Sequence, residues 1–164
     1  MYNILQIPFK STQNTKLRWF QTRINHRVLG TNKFLYRIRK SDNNLCTFCE
    51  GEEETIEYLL WECNDVQNLL NNFEEFVSET LHITFSFQKQ NFILGMIAGK
   101  QTENLILLQI KYYIYTMRCI NKQLSLHGLV SSVKNCILTN KEIACSKNNL
   151  EKFRNLWGSW LNMI

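Results

Sequence analysis

The spacing of apolar residues along the chain predicts a protein made almost entirely of helices. Between Asn14 and Leu29, four apolar residues recur at three- and four-residue intervals and so share one face of a helix that Gly30 ends. These residues are Leu17, Phe20, Ile24 and Val28. A second helix is predicted in TNKFLYRIRK, where Thr31 can serve as the N-cap. Its apolar side holds Phe34, Leu35 and Ile38.

Three more helices are predicted between residues 53 and 99. The first, EETIEYLLWEC, points Ile56, Leu59 and Leu60 inward. The second spans residues 64–81 and starts at an Asn64 or Asp65 cap, and the third, KQNFILGMIAG, stops at Gly99. Between the last two, HITFSF alternates only weakly, and one strand cannot form a sheet, so a short strand and an extended connector fit equally well.

The most apolar helix begins near residue 102 and has two apolar stripes, a pattern typical of the central helix of a bundle. Thr102 can cap it, and Glu103 lies in its first turn, where a negative charge suits the helix dipole. The stripes are Leu105, Leu108, Tyr112, Tyr115 and Cys119, and Ile106, Ile110, Tyr113, Met117 and Ile120. Gln109, Lys111 and Arg118 interrupt the apolar run, and charges are costly at a bilayer centre, so we predict a buried helix rather than a membrane span.

Two further amphipathic helices, in residues 129–145 and 149–163, complete an all-α fold. Trp157 and Trp160 fall on the apolar side of the last helix, so we assign them to the core rather than to a surface that stacks on bases. We expect a helical bundle that carries a small N-terminal zinc-knuckle-like module. The predicted division is residues 1–70 for the basic helices and this module, and residues 71–164 for the bundle.

The charged residues are strongly segregated along the 164-residue chain, although its net charge is only +5. Residues 1–45 carry nine Lys or Arg and one Asp, and residues 46–80 carry ten acids and no base. Such a basic block favours a polyanionic partner. The alternative is that the acidic segment folds back and neutralises the basic one.

The six cysteines are expected to be reduced. The N-terminal stretch MYNILQIPFKST lacks the basic start, apolar run and cleavage site of a secretory signal, so we expect an intracellular protein, cytoplasmic or nuclear and not secreted. Disulfides are uncommon there. Cys119, Cys136 and Cys145 lie within helical patterns and are predicted to be ordinary buried or half-buried thiols.

The other three cysteines have a spacing that suits a metal ion. Cys46 and Cys49 form a Cys-x2-Cys pair, and Cys63 follows fourteen residues later. A histidine at position 58 would complete a CCHC zinc site, but Tyr58 stands there. A phenol, with a pKa near 10, is a poor replacement because it would have to ionise to bind well.

Several completions of this degenerate CCHC site are open. Glu57, His82, His26 or a water could supply the fourth ligand to a zinc ion. Alternatively, the thiols are small core residues and Tyr58 packs as an aromatic side chain. A catalytic zinc is disfavoured, because the sequence offers neither a partner base nor a recognisable substrate pocket.

The run from Thr15 to Cys63 resembles the C-terminal segment of the reverse transcriptases of LINE-type non-LTR retrotransposons. In that family a W-F-x-x-R-x-x-H-R-x-L helix precedes T-N-x-x-L, a Cys-x2-Cys pair and E-T-x-x-H-L-(L/F)-x-x-C. The matching residues are Trp19, Phe20, Arg23, His26, Arg27 and Leu29; Thr31, Asn32 and Leu35; Cys46 and Cys49; and Glu54, Thr55, Leu59, Leu60 and Cys63. The match covers residues 8–70 and departs at Tyr58.

The resemblance implies a zinc-binding reverse-transcriptase module that holds template RNA or target DNA. The chain has no Tyr/Phe-Ala-Asp-Asp polymerase motif and no endonuclease motif, so we expect a non-catalytic protein. A chain that starts at Met1, just upstream of the motif, is expected to be a 3′ fragment of such an element.

We predict that nucleic acid contacts the two basic helices. Lysine and arginine would bind phosphates and release counterions, while Trp19 and Tyr36 are candidates to stack on unpaired bases. The full candidate interface is Lys16, Trp19, Arg23, His26, Arg27, Lys33, Arg37 and Lys40. The partner would be RNA or single-stranded or target DNA, with no membrane contact, and the acidic residues Glu50 and Glu52–Glu54 would repel phosphate. The alternative is a helical protein-interaction or inert remnant protein that binds no nucleic acid.

Overall fold

The computed structural model describes residues 12–95 and 100–164, and within these ranges the regular structure is helical. Seven α-helices, one π-helix and one 3₁₀ helix are present in the described ranges. The α-helices are α1 (Thr15–Asn25), α2 (Asn32–Arg37), α3 (Asn64–Leu81), α4 (Lys89–Leu94), α5 (Gln101–Cys119), α6 (Leu126–Ser146) and α7 (Leu150–Trp157). The π-helix is Tyr58–Glu62 and the 3₁₀ helix is Gly158–Met163. The all-α prediction is therefore confirmed.

Helix α5 is the centre of the bundle, as its two apolar stripes predicted. It packs against α1, α6, α7 and the π-helix, and most of its first fourteen residues are buried. The stripes reach the surface at their C-terminal end, where Cys119 and Ile120 are exposed. No helix of the described ranges is long and apolar enough to cross a membrane.

Helix α1 ends four residues earlier than predicted. Asn14 caps it with its side chain, and the helix ends at Asn25, after which Arg27 adopts a left-handed φ of 59°. The chain therefore leaves the helical register before Val28, which is 48% exposed, while Leu29 is fully buried in its place. The predictions for Val28 and for a stop at Gly30 were wrong, whereas Leu17, Phe20 and Ile24 are buried as predicted.

Helix α2 is shorter than the ten residues predicted. Thr31 is its N-cap, as predicted, and accepts a hydrogen bond from the amide of Phe34 at 3.4 Å. The helix ends at Arg37, and Ile38 is exposed rather than on a buried apolar side. Phe34 and Leu35 are half-buried.

Two other predicted caps were wrong. Helix α3 starts at Asn64, so Cys63 occupies the N-cap position that we assigned to Asn64 or Asp65. Helix α5 starts at Gln101, and the hydroxyl of Thr102 donates to the carbonyl oxygen of Leu156, 2.7 Å away on α7, instead of capping. Thr102 thus joins two helices of the bundle.

Residues 82–88 form an extended connector between α3 and α4, not a strand. Phe85 from this connector is buried against Phe73 of α3 and Trp160 of the 3₁₀ helix, with ring centroids 6.4 and 5.3 Å apart. Trp157 and Trp160 are buried, as predicted. Helix α4 ends at Leu94 with a left-handed Gly95, and the predicted stop at Gly99 lies outside the described residues.

Buried side chains from α1, the π-helix and α3 to α7 belong to one hydrophobic core. The boundary predicted at residue 70 falls within α3, which spans Asn64–Leu81. The division into residues 1–70 and 71–164 stays a prediction, since a helix that crosses the boundary does not tell whether either part folds alone.

Candidate metal centre and nucleic-acid interface

A short hairpin-like turn, residues 44–54, carries the first two cysteines, and we call it the cysteine loop. An antiparallel bridge joins Leu45 to Glu53 at its base. At its tip the amide of Glu50 donates to the carbonyl oxygen of Cys46, 2.9 Å away, which closes the turn around Cys49. The Cys-x2-Cys pair is therefore held in a tight turn, as its spacing indicated.

The third cysteine arrives from the end of the π-helix. The amide of Cys63 donates to the carbonyl oxygen of Tyr58, 3.0 Å away, which is the five-residue hydrogen bond of a π-helix. The ligand atoms of Cys46, Cys49 and Cys63 all lie within 4.8 Å of one another. Cys46 and Cys63 are buried and Cys49 is half-buried. Three sulfurs spaced in this way can hold a soft metal ion.

Tyr58 lies beside this sulfur group, as the CCHC pattern predicts for the fourth ligand. Its hydroxyl is 3.3 Å from the sulfur of Cys49, within hydrogen-bonding distance. This hydrogen bond, followed by burial, raises the pKa of Tyr58. The phenol is therefore held neutral, which makes it a weak metal ligand.

None of the other protein side chains that we considered as the fourth ligand reaches the sulfur group. Within the described ranges, the cysteines alone make up the candidate metal-binding group, without a histidine or carboxylate. Glu57 forms an ion pair with Arg27, and His26 is exposed at the end of α1. His82 follows the last residue of α3, roughly 27 Å from Cys63 at 1.5 Å per residue.

The two buried thiols, Cys46 and Cys63, differ in acidity. A hydrogen bond to Cys63, followed by burial, raises the pKa of Cys46. The same hydrogen bond lowers the pKa of Cys63, and the backbone amides of Val66 and Asp65 at the start of α3 lower it further. Cys63 is therefore more acidic than Cys46, and a metal that bound all three thiols would release their protons.

A buried carboxylate fixes the cysteine loop to the rest of the molecule. Glu54 is fully buried, and its Oε1 accepts from the amide of Asn32 at 2.7 Å and from Nε of Arg118 at 3.0 Å. Its Oε2 accepts from the amide and the hydroxyl of Thr47, each at 2.7 Å. One side chain thus joins the start of α2, the cysteine loop and the end of α5.

The prediction that Glu54 repels phosphate was wrong, because this carboxylate is buried and paired with Arg118. Glu53 also has a partner, because it forms an ion pair with Lys33 at 2.6 Å. This ion pair lowers the pKa of the Glu53 carboxyl group. Glu50 and Glu52 are exposed and form no ion pair with a described base. Asn32 and Glu54 are both motif residues, and this was the sequence signal that could have indicated the network. Arg118, the third partner, is 64 residues away from Glu54.

Five candidate residues of the predicted basic interface divide into two parts. Lys16, Trp19 and Arg23 are exposed on one face of α1, and Trp19 is 64% exposed. Arg27 and Lys33, in contrast, form ion pairs with Glu57 and Glu53 of the acidic segment. In this second part the acidic segment neutralises the basic one, as the alternative prediction stated.

The remaining candidates lie at the surface. His26, Arg37 and Lys40 are exposed, and the guanidinium of Arg37 lies 5.3 Å from the ring centroid of Phe34. Tyr36 is 53% exposed. Their contact with nucleic acid stays a prediction.

Lys111 is an ionisable residue whose burial sequence reasoning missed. It is fully buried, and its ammonium group donates to Oε1 of Gln21 on α1 and to the carbonyl oxygen of Ile93. Burial lowers its pKa to about 7. No described acidic side chain forms an ion pair with it, and residues 1–11 and 96–99 contain no acid.

All six cysteines are free, as predicted. Cys136 is half-buried, and burial raises its pKa to about 11. Cys119 and Cys145 are exposed rather than buried or half-buried, because they lie at the C-terminal ends of α5 and α6.

Comparisons with protein-family models, with curated proteins and with solved structures found no match. The resemblance to retrotransposon reverse transcriptases therefore depends on the motif residues alone.

Proposed function

We propose that this chain is a non-catalytic module that binds RNA or single-stranded DNA through Lys16, Trp19 and Arg23, which we call the α1 face. The observation that carries the proposal is an exposed tryptophan between two exposed cations that form no ion pair with a described carboxylate. Cations attract phosphates, and an exposed aromatic ring can stack on an unpaired base. The motif resemblance supports an origin in the C-terminal region of a LINE-type reverse transcriptase.

We also propose that Cys46, Cys49 and Cys63 hold a zinc ion. Three sulfurs within 4.8 Å support this assignment, because thiolates are preferred zinc ligands. The neutral Tyr58 beside Cys49 fits less well than a histidine, so a water would complete the shell more readily than the phenol. When bound, zinc would tie the cysteine loop to the start of α3.

The metal assignment is tested by measuring the zinc content of the purified protein and of Tyr58→His. We expect about one zinc per chain in Tyr58→His and a smaller, chelator-sensitive amount in the parent. Cys63→Ser, which removes a ligand, should lower the content in either background. Zinc-free protein in both the parent and Tyr58→His would contradict the assignment.

Nucleic-acid binding is tested by titrating a labelled oligo(U) or oligo(dT) at several salt concentrations. We expect affinity to fall steeply with salt, since each neutralised phosphate of a single strand contributes a slope of about −0.7 in log K against log salt. An interaction with no salt dependence would contradict the proposed electrostatic mechanism.

A second candidate function is a helical protein-interaction or inert remnant protein. The ion pairs Arg27–Glu57 and Lys33–Glu53 favour it, because they neutralise part of the basic segment within the molecule. This candidate predicts that no oligonucleotide binds even at low salt. The same titration therefore separates the two functions.

A further inference from the structure

A groove of about 460 Å³ lies between α1 and α5, beside the α1 face. Its α1 wall contains Lys16, Trp19, Phe20 and Arg23, and its other wall includes Tyr112 and Tyr115. Among the described residues, no acidic side chain lines it. One wall of the groove thus comes from α5, which lies outside the region that carries the family motif.

The aromatic walls of the groove are fixed from the core. Phe20 is buried, and its ring packs edge-on against Tyr112 and at a tilt against Tyr115, each at a centroid distance of 5.4 Å. Tyr112 and Tyr115 are only partly buried, so they retain surface toward the groove. Trp19 remains mostly exposed. Walls that are already in place lose little conformational entropy when a flat ligand enters.

The charges around the groove select one kind of ligand. Lys16 and Arg23 both line it, three and four residues on either side of Trp19 and therefore on the same helix face. Neither forms an ion pair with a described carboxylate. A flat aromatic ligand that carries a negative charge complements this surface, whereas a purely apolar segment would leave both cations without a counter-charge.

We propose that this groove receives one unpaired base of an RNA or DNA strand, stacked on Trp19, with the adjoining phosphate near Lys16 and Arg23. The inference depends on the proposed nucleic-acid binding and adds the α5 wall and a requirement for a base. The requirement for a base distinguishes this site from a general attraction to phosphates, which would bind a strand with bases and an abasic strand equally well.

The test compares an eight-nucleotide oligo(dT) with an abasic deoxyribose-phosphate strand of the same length, by fluorescence anisotropy at low salt. For the wild type we expect about tenfold weaker binding of the abasic strand, the order expected for stacking of one base. Trp19→Leu should lose about tenfold on oligo(dT) and little on the abasic strand. An oligo(U) arm shows whether RNA is preferred.

Leu138→Ala is the control variant, because Leu138 is also an exposed apolar residue on a helix but does not line the groove. It should bind both strands as the wild type does. Circular dichroism must show that each variant keeps its helices, which we expect because both side chains are exposed.

The possible failures are distinguishable. If salt-dependent binding persists but neither base removal nor Trp19→Leu changes it, the groove assignment and the role of Trp19 are wrong, while nucleic-acid binding through cations still stands. If the wild type binds no strand at low salt, both are wrong. If Trp19→Leu instead abolishes a concentration-dependent dimer and base removal has no effect, a second copy of the chain occupies the groove and the inference is overturned.

Discussion

Two parts of the basic N-terminal segment carry similar charge in opposite surroundings. On the α1 face, Lys16 and Arg23 flank an exposed tryptophan and form no ion pair with a described carboxylate. Beyond the end of α1, Arg27 and Lys33 are paired with Glu57 and Glu53. The charge blocks of the sequence therefore cancel in only one of the two parts.

The difference follows from where the cysteine loop is anchored. Glu54 fixes the loop to Asn32 at the start of α2, so the neighbouring Glu53 comes within reach of Lys33. Helix α1 ends at Asn25, and its exposed face is not bridged to the acidic segment by any ion pair among the described residues. We therefore expect the α1 face, unlike Arg27 and Lys33, to remain available to a polyanion.

The largest effect should come from removing the charge that anchors the loop. In Glu54→Gln, the new side-chain NH2 group would face a hydrogen-bond donor at whichever oxygen position of Glu54 it took. Arg118 would also lose its buried counter-charge. Breaking a buried ion pair on one side costs about 3–5 kcal/mol. Chemical denaturation should show this loss, while the control Glu53→Gln, at an exposed pair, should change stability by less than about 1 kcal/mol. Equal effects of the two substitutions would contradict the anchoring role.

The next largest effect should come from metal at the cysteine loop. With zinc at a hundredfold excess over its dissociation constant, Tyr58→His should gain about 2.7 kcal/mol in stability relative to the same variant with chelator. Cys63→Ser in the Tyr58→His background should remove the gain. Thermal unfolding measures this effect, and a transition of Tyr58→His that ignores zinc would count against the metal centre.

A smaller effect concerns the inner side of α1, where Lys111 donates to Gln21. The pKa of Lys111 is lowered to about 7, while an unfolded lysine stays protonated to about pH 10. From pH 7 to 9 the unfolded chain thus binds a proton that the folded chain has lost, so stability should rise with pH by up to about 1.4 kcal/mol per unit. Lys111→Met should flatten this rise in a denaturation series.

Because Cys63 also has a lowered pKa, only the difference in slope between the wild type and Lys111→Met reports on Lys111. Identical slopes in the two proteins would show that Lys111 does not titrate between pH 7 and 9.

The smallest effect should come from the exposed pair of the neutralised part. Lys33→Gln removes one partner of the Lys33–Glu53 pair, whose side chains are 53% and 43% exposed. Such pairs contribute about 0–1 kcal/mol and weaken with salt, so unfolding at high salt should not distinguish this variant from the wild type. A large loss of stability would mean that this pair, rather than Glu54, holds the loop to α2.

The sequence predicted local features well where neighbouring residues decide them. The apolar spacing of Leu17, Phe20 and Ile24 and the hydroxyl of Thr31 act within one helical turn, and these predictions were confirmed. The cysteine spacing predicted a three-sulfur group because the turn and the π-helix are short.

Features that depend on distant partners could not be predicted in the same way. The burial of Glu54 depends on Arg118, and that of Lys111 on Gln21, 90 residues away in sequence. The register shift that buries Leu29 instead of Val28 results from a left-handed residue at Arg27, a conformation that arginine rarely adopts. The groove requires α1 and α5 to be neighbours, which periodicity alone does not specify.

The most direct test of the central claim compares two double variants that remove equal charge from the two parts. We would measure oligo(U) affinity against salt for the wild type, for Lys16→Gln/Arg23→Gln and for Arg27→Gln/Lys33→Gln. If the α1 face is the interface, the first variant should lose about tenfold or more in affinity and flatten the salt dependence, while the second should remain close to the wild type. Equal losses in both variants, or a larger loss in the second, would contradict the account.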